Sequence, residues 1–192
     1  MTVTLAPPLS FQEYCRYDDD TDRRYEWLEG ALIPMTPPSF LHLLVGDRLT
    51  VLFNEAIRRQ GRSAFCLKEV GVRTGLRKSR VADLAIVDQA SVLSALEQVA
   101  ICETAPQLVV EIVSPESRQR DYRYKRSEYG ANEIPEYWIV DPEQKQVTVL
   151  TFNEGLYDEI RLRENQLLAS PQFPDLGITV QQLFNFSDSH LS

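Results

Sequence analysis

Residues 108–113 (LVVEIV) are apolar at every position except one. Alternation along a strand places Leu108, Val110 and Ile112 on one face and Val109, Glu111 and Val113 on the other. Both faces therefore need cover, and the segment reads as a central strand with layers packed on each side. Its middle carries a carboxylate, where an uncompensated charge is costly. A chain that keeps Glu111 there must supply it with a partner.

The surrounding pattern supplies the layers. Ser10 can cap a short helix in LSFQEYCRY, and RRYEWLEGALIPM alternates Tyr25 and Trp27 against Glu26 and Leu28, predicting a hairpin that turns at Glu29-Gly30. Pro37 and Pro38 end that unit, and Ser39 caps a helix predicted over 40–60, with Leu41, Leu44, Val45, Leu49, Leu52, Phe53 and Ile57 at helical spacing and Gly61 after it. SAFCLKEVGVRT and RVADLAIVD read as an antiparallel pair, and QASVLSALEQVA as a short helix. After the central strand, Ser114 and Pro115 suit the start of a helix and Gly130 its end. PEYWIVDPEQKQVTVLTF and GLYDEIRLR predict a meander turning at Asp141-Pro142 and near 153–155, and LGITVQQLF closes with a small strand and a helical turn. This order implies an α/β fold of the α+β kind, a single domain over 1–192 with a central mixed sheet flanked by helices.

Bulk properties narrow the class. At 192 residues, 43% hydrophobic and 25% charged, the chain has the composition of a globular domain. The start MTVTLAPPLS has no basic or hydrophobic stretch, and no apolar run approaches a membrane span, so the expectation is a cytoplasmic protein without a membrane partner. Cys15, Cys66 and Cys102 are widely spaced and form no CxxC pair, which argues against a disulfide framework or a zinc site. The net charge of −8 opposes nucleic-acid binding at first sight. Its distribution does not: residues 58–80 and 118–126 together hold thirteen basic residues against two acidic ones. Those segments are either solvated faces or a phosphate-facing patch.

Alternation in VADLAIV groups Val81, Asp83, Ala85 and Val87, so Asp83 is a second carboxylate among valines. Two acids on two core strands can share a hard divalent cation. In the following helix, Arg118, Tyr122, Lys125 and Tyr129 fall within about 60° at α-helical spacing, which turns Lys125 inward with the tyrosines. Each residue also has a structural reading. A buried ion pair with an arginine would serve Glu111, a strand-edge place near Arg80 would serve Asp83, and an i, i+4 pair with Asp121 would serve Lys125. Taken together, two carboxylates, one lysine and a positive rim match what phosphodiester hydrolysis requires.

On YEWLEGALIPMTPPS with His42, VADLAIV, APQLVVEIVSPESRQRDYRYKRSEY and IPEYWIVDPEQKQVTVL, the chain resembles the Uma-two family of restriction endonuclease-like proteins, within the PD-(D/E)XK nuclease superfamily, over about residues 10–165. The resemblance implies a restriction-endonuclease-like core and a Mg²⁺- or Mn²⁺-dependent endonuclease acting on nucleic acid, with DNA expected. It makes Asp83 the aspartate of the PD element and Glu111 the acid of (D/E)XK, both as metal ligands. Ala82 stands where the motif has proline. Val113 stands where the simple motif has lysine, and Lys125 on the next helix takes that role. Arg80 and Arg118 are phosphate-binding candidates. Glu55, His42 and Tyr129 are accessory candidates, while Glu29 fits a turn residue better. A non-catalytic nucleic-acid-binding or regulatory module on the same fold is the alternative, an interaction protein using the meander's edges is another, and a homodimer fits any of these.

Overall fold

The computed structural model describes residues 8–21 and 23–186. Ser10 caps α1 (Phe11–Cys15) through a reciprocal pair of bonds with Glu13. The hairpin of β1 (Tyr25–Leu28) and β2 (Ala31–Pro34) turns where predicted, with Glu29 at φ 51° and Gly30 at φ 87°. Two successive residues at positive φ give the tight turn that follows the twist of the strands. Helix α2 (Phe40–Arg59) starts at Ser39, whose side chain accepts from the His42 amide, and buries Val45, Leu49, Phe53, Ala56 and Ile57.

β3 (Ala64–Gly75) and β4 (Lys78–Asp88) form a long antiparallel pair, followed by α3 (Gln89–Leu93). A two-residue strand, β5 (Ile101–Cys102), runs parallel to β3, too short for any sequence pattern to announce it. β6 (Leu108–Ile112) is central as expected, antiparallel to β4 and parallel to β7 (Glu136–Asp141). β8 (Gln146–Asn153) and β9 (Leu156–Arg163) complete the meander, and α5 (Val180–Phe184) packs back on α2. The sheet runs β2-β1-β4-β6-β7-β8-β9, with β3 and β5 attached at β4.

Both faces of β6 are covered. Leu108, Val110 and Ile112 pack with α2, α5, Trp138 and Phe173, while Val109 and Val113 pack with Tyr129, Tyr137 and Ile139. β4 leaves an opening beside this strand. Ser79 and Leu84 to Ile86 are already paired with β3, so β1 (at Lys78 and Ser79) and β6 (at Leu84 to Ile86) both lie on the opposite edge of β4. Residues 80–83 lie between them, facing a gap in the sheet.

The segment after β6 departs from the predicted regular helix. Ser114 begins it, exchanging side-chain and backbone bonds with Ser117, but Arg120–Lys125 form a π-helical turn before α4 (Arg126–Ala131). The buried residues are Ser117, Asp121, Lys125 and Tyr129, each four apart. In a continuous α-helix such residues drift by about 40° per step, and the wider π turn takes up that drift. Arg118 and Tyr122, expected on the inward face, are half-buried beside it. Gly130 does not end the helix; Glu133, at φ 53°, makes the reversal, and Gly130 gives room to the Tyr157 ring.

Candidate active site

The β4–β6 ladder stops at Leu84 and Val110, and the next register position would join Asp83 to Glu111. There the strands part, and the Asp83 carboxylate takes over from the ladder by accepting the Ile112 amide at 2.6 Å. The same end of the sheet opens into a cavity of about 780 Å³ whose walls include Glu26, His42, Asp83, Glu111, Ser117, Arg120, Asp121 and Lys125.

Lys125 is the hub. Only 3% exposed, its ammonium lies 2.7 Å from Glu111 Oε2, 3.2 Å from Glu26 Oε1 and 3.9 Å from Asp121 Oδ1, and donates to the Val81 carbonyl at 3.3 Å. Tyr129 donates to the other oxygen of Glu111 at 2.6 Å. Glu26 also accepts from Arg80 Nη1 at 2.8 Å and from the Val81 amide at 3.4 Å. Thus the backbone of Val81, in the gap of the sheet, is bonded on both sides by site side chains. Arg80 completes the network with a two-pronged pair to Glu128, both contacts at 2.7 Å.

Electrostatics follow from this crowding. Burial pushes the Glu111 carboxyl well above its ordinary range, Asp83 and Asp121 push it further, and Lys125 offsets only part. Burial likewise raises Asp121, with Lys125 opposing. Burial alone would lower the Lys125 ammonium, but Glu111, Glu26, Asp121 and Asp83 together raise it, so it stays charged. Glu26 goes the other way: Lys125 and Arg80 outweigh its burial and hold it low. His42, 3.2 Å from Asp83 Oδ1, is raised because that carboxylate overcomes the desolvation of the ring. The cavity floor is short of positive charge.

Of the residues singled out in the sequence, Asp83, Glu111 and Lys125 meet here, with His42 and Tyr129 touching the two acids. Glu55 does not: it lies exposed on the outer side of α2 and outside the cavity wall. Glu29 sits in the hairpin turn, within 4 Å of Arg77 and Lys78. Arg80, expected to face phosphate, is turned inward between Glu26 and Glu128, because a buried guanidinium requires carboxylates. Arg118 stays at the rim, 2.7 Å from both Asp141 and Glu143, and lines a shallower cleft with Tyr122, Arg123 and Arg161. The basic run 58–80 is largely consumed internally. Lys68 pairs with Asp47, Arg73 with Glu103, and Arg59 and Arg62 bond the segment around Gln172 and Asp175. Sequence pattern alone did not single out Glu26 or Asp121. Glu26 shares a face with Leu28 in a hairpin, and a charge on that face was the available signal. Asp121 has the spacing of an ordinary exposed partner of Lys125.

Two carboxylates at the strand ends suit a hard divalent ion that completes its shell with water and phosphate oxygens. Among the described residues no group of three or more His, Cys, Asp or Glu is gathered as metal ligands. No described helix is long and apolar enough to cross a membrane.

A search of curated proteins finds no match. Among solved structures, the chain is similar to one titled "a putative nuclease belonging to DUF820" from Anabaena variabilis ATCC 29413, with a TM-score of 0.74 and 20% identity over 92% of this chain and 98% of that one. That likeness shows the fold, a mixed sheet flanked by helices. A family model, Uma2, described as "Putative restriction endonuclease", matches residues 11–181, and on that span the chain belongs to the Uma2 family.

Proposed function

We propose that this protein is a metal-dependent endonuclease that hydrolyses phosphodiester bonds, with DNA as the substrate class. The observation that carries the reading is the buried Lys125 ammonium, 2.7 Å from Glu111, in the cavity that also receives Asp83. A strand acid, its neighbour across the gap and a helix lysine converge although 42 residues separate the first from the last in the chain.

Asp83 and Glu111 would hold Mg²⁺ or Mn²⁺, which supplies Lewis-acid activation of the phosphate and lowers the pKa of bound water. The Glu111 carboxyl, raised first by burial and further by Asp83 and Asp121, supports this, since a bound cation would favour its charged form. Lys125 donates to the charge that builds on the phosphoryl oxygens, in a site dry enough for that interaction to be strong. Glu26 and Tyr129 fix the lysine and the glutamate in place. Arg120, on the cavity wall, offers donors to a flanking phosphate, while Arg118 stays paired with Asp141 and Glu143.

The test is cleavage of mixed DNA and RNA substrates with Mg²⁺, Mn²⁺ or EDTA. Wild type should cleave DNA only with the metals, and Lys125→Ala should lose about 100-fold or more while keeping its circular dichroism spectrum. Cleavage that persists in EDTA, or in Lys125→Ala at the wild-type rate, removes the mechanism.

A further inference from the structure

Asp121 is 1% exposed and lines the cavity. One of its oxygens, Oδ2, accepts from Ser117 Oγ, while Oδ1 has no hydrogen-bond partner among the described residues. Arg120 Nε is likewise buried without a partner. These two atoms are 3.8 Å apart. They are too distant to bond each other and close enough to bond one oxygen between them. Lys125 does not fill the role: its Nζ is 3.9 Å from Asp121 Oδ1 and is already engaged by Glu111, Glu26 and the Val81 carbonyl.

One buried donor and one buried acceptor select the ligand. A phosphate oxygen could accept from Arg120 but has no proton to give Asp121. Water satisfies both. Buried polar atoms in native proteins are rarely left without partners, so the pair marks a site that its partner completes. Asp121 is also not gathered with Asp83 and Glu111 as a third metal ligand.

We propose that Arg120 and Asp121 hold the attacking water of the hydrolytic reaction and that Asp121 is its general base, an inference that rests on the nuclease reading above. In the step, Asp121 Oδ1 takes one proton from the water and the water's oxygen pair forms the new bond to phosphorus. The P–O bond on the opposite side breaks, and the leaving oxygen departs with its electron pair and takes a proton from solvent. Burial, which raises the Asp121 carboxyl, suits it to receive that proton. Lys125 then acts through the charge of its ammonium and moves no proton.

The test is single-turnover cleavage at saturating Mn²⁺, with Mn²⁺ affinity measured separately by electron paramagnetic resonance. Asp121→Asn keeps the shape and the Ser117 contact and removes the base. It should slow the chemical step by about 100-fold or more, with Mn²⁺ affinity within about twofold of wild type, whereas Glu111→Gln should lose Mn²⁺ affinity as well. Added formate should restore part of the rate of Asp121→Ala. An unchanged rate in Asp121→Asn makes Asp121 only a counter-ion of Lys125, and a loss of Mn²⁺ affinity makes it a metal ligand; either overturns the proposal and leaves the nuclease reading intact. A wild type that cleaves no substrate with any metal overturns both.

Discussion

At the scale of single residues, the protein keeps several carboxylates where water hardly reaches, and not all serve the cavity. Glu136 is fully buried on β7, accepting from the Trp138 indole at 2.6 Å and the Gln172 amide at 3.3 Å. Burial raises its carboxyl above the ordinary range despite these bonds. An acid whose folded pKa exceeds its unfolded one binds its proton more tightly when folded, so its contribution to stability falls as pH rises through that interval. Glu136→Gln should therefore gain melting temperature relative to wild type as pH rises from about 4.5, the ordinary glutamate range, toward 8. A constant difference across that range would show that Glu136 does not titrate differently in the folded state. Individual residues were legible to the degree that their chemistry clashed with their setting. Glu111 and Asp83 stood out as charges inside apolar strands, and Lys125 as a cation on a helix face with tyrosines. Asp121 offered no clash, since an acid four residues before a lysine is ordinary on any exposed helix. Arg80 misled because a cluster of arginines has the same pattern whether it faces phosphate or Glu26 and Glu128.

At the scale of elements, periodicity located most of what the structure contains. The helix over 40–60, the hairpin turn at Glu29-Gly30 and the antiparallel pairing of β3 with β4 all stand near where spacing and caps put them. The π turn was not visible, because its inserted residue changes no residue type; only tertiary packing of Asp121, Lys125 and Tyr129 on one face reveals it. That turn makes a specific prediction. Tyr124 is 54% exposed on the π turn. Deleting it lets the segment relax to regular α-helix and rotates Asp121 away from the face shared by Lys125 and Tyr129. The variant should keep its far-ultraviolet circular dichroism and lose about 100-fold or more in DNA cleavage, whereas Tyr124→Ala should retain it. Equal activity in the two variants would mean the π turn has no part in aligning the site.

At the scale of the whole molecule, charge is the feature whose meaning changed most between sequence and structure. The chain carries −8 overall, and thirteen basic residues concentrate in two segments. Most of them are committed to partners within the fold; among the described members of those segments Arg58 and Arg123 have no acid, carbonyl or amide partner, and Arg120 has only Asp121, at 3.8 Å. Few counterions are therefore available for release on binding DNA. The logarithm of the binding constant, followed by fluorescence anisotropy in EDTA against the logarithm of salt concentration, should have a slope of only about −2 to −3. A slope near −6 would show that paired arginines such as Arg118 leave Asp141 and Glu143 for phosphate. The gap in β4 has a further consequence for how the molecule can be watched. Because the Val81 amide donates to the Glu26 carboxylate, which also holds Lys125, its exchange with deuterium reports on the ion network around Lys125. A single backbone proton in the middle of the sheet thus serves as a built-in gauge of whether the candidate site is assembled, readable with no substrate in the tube.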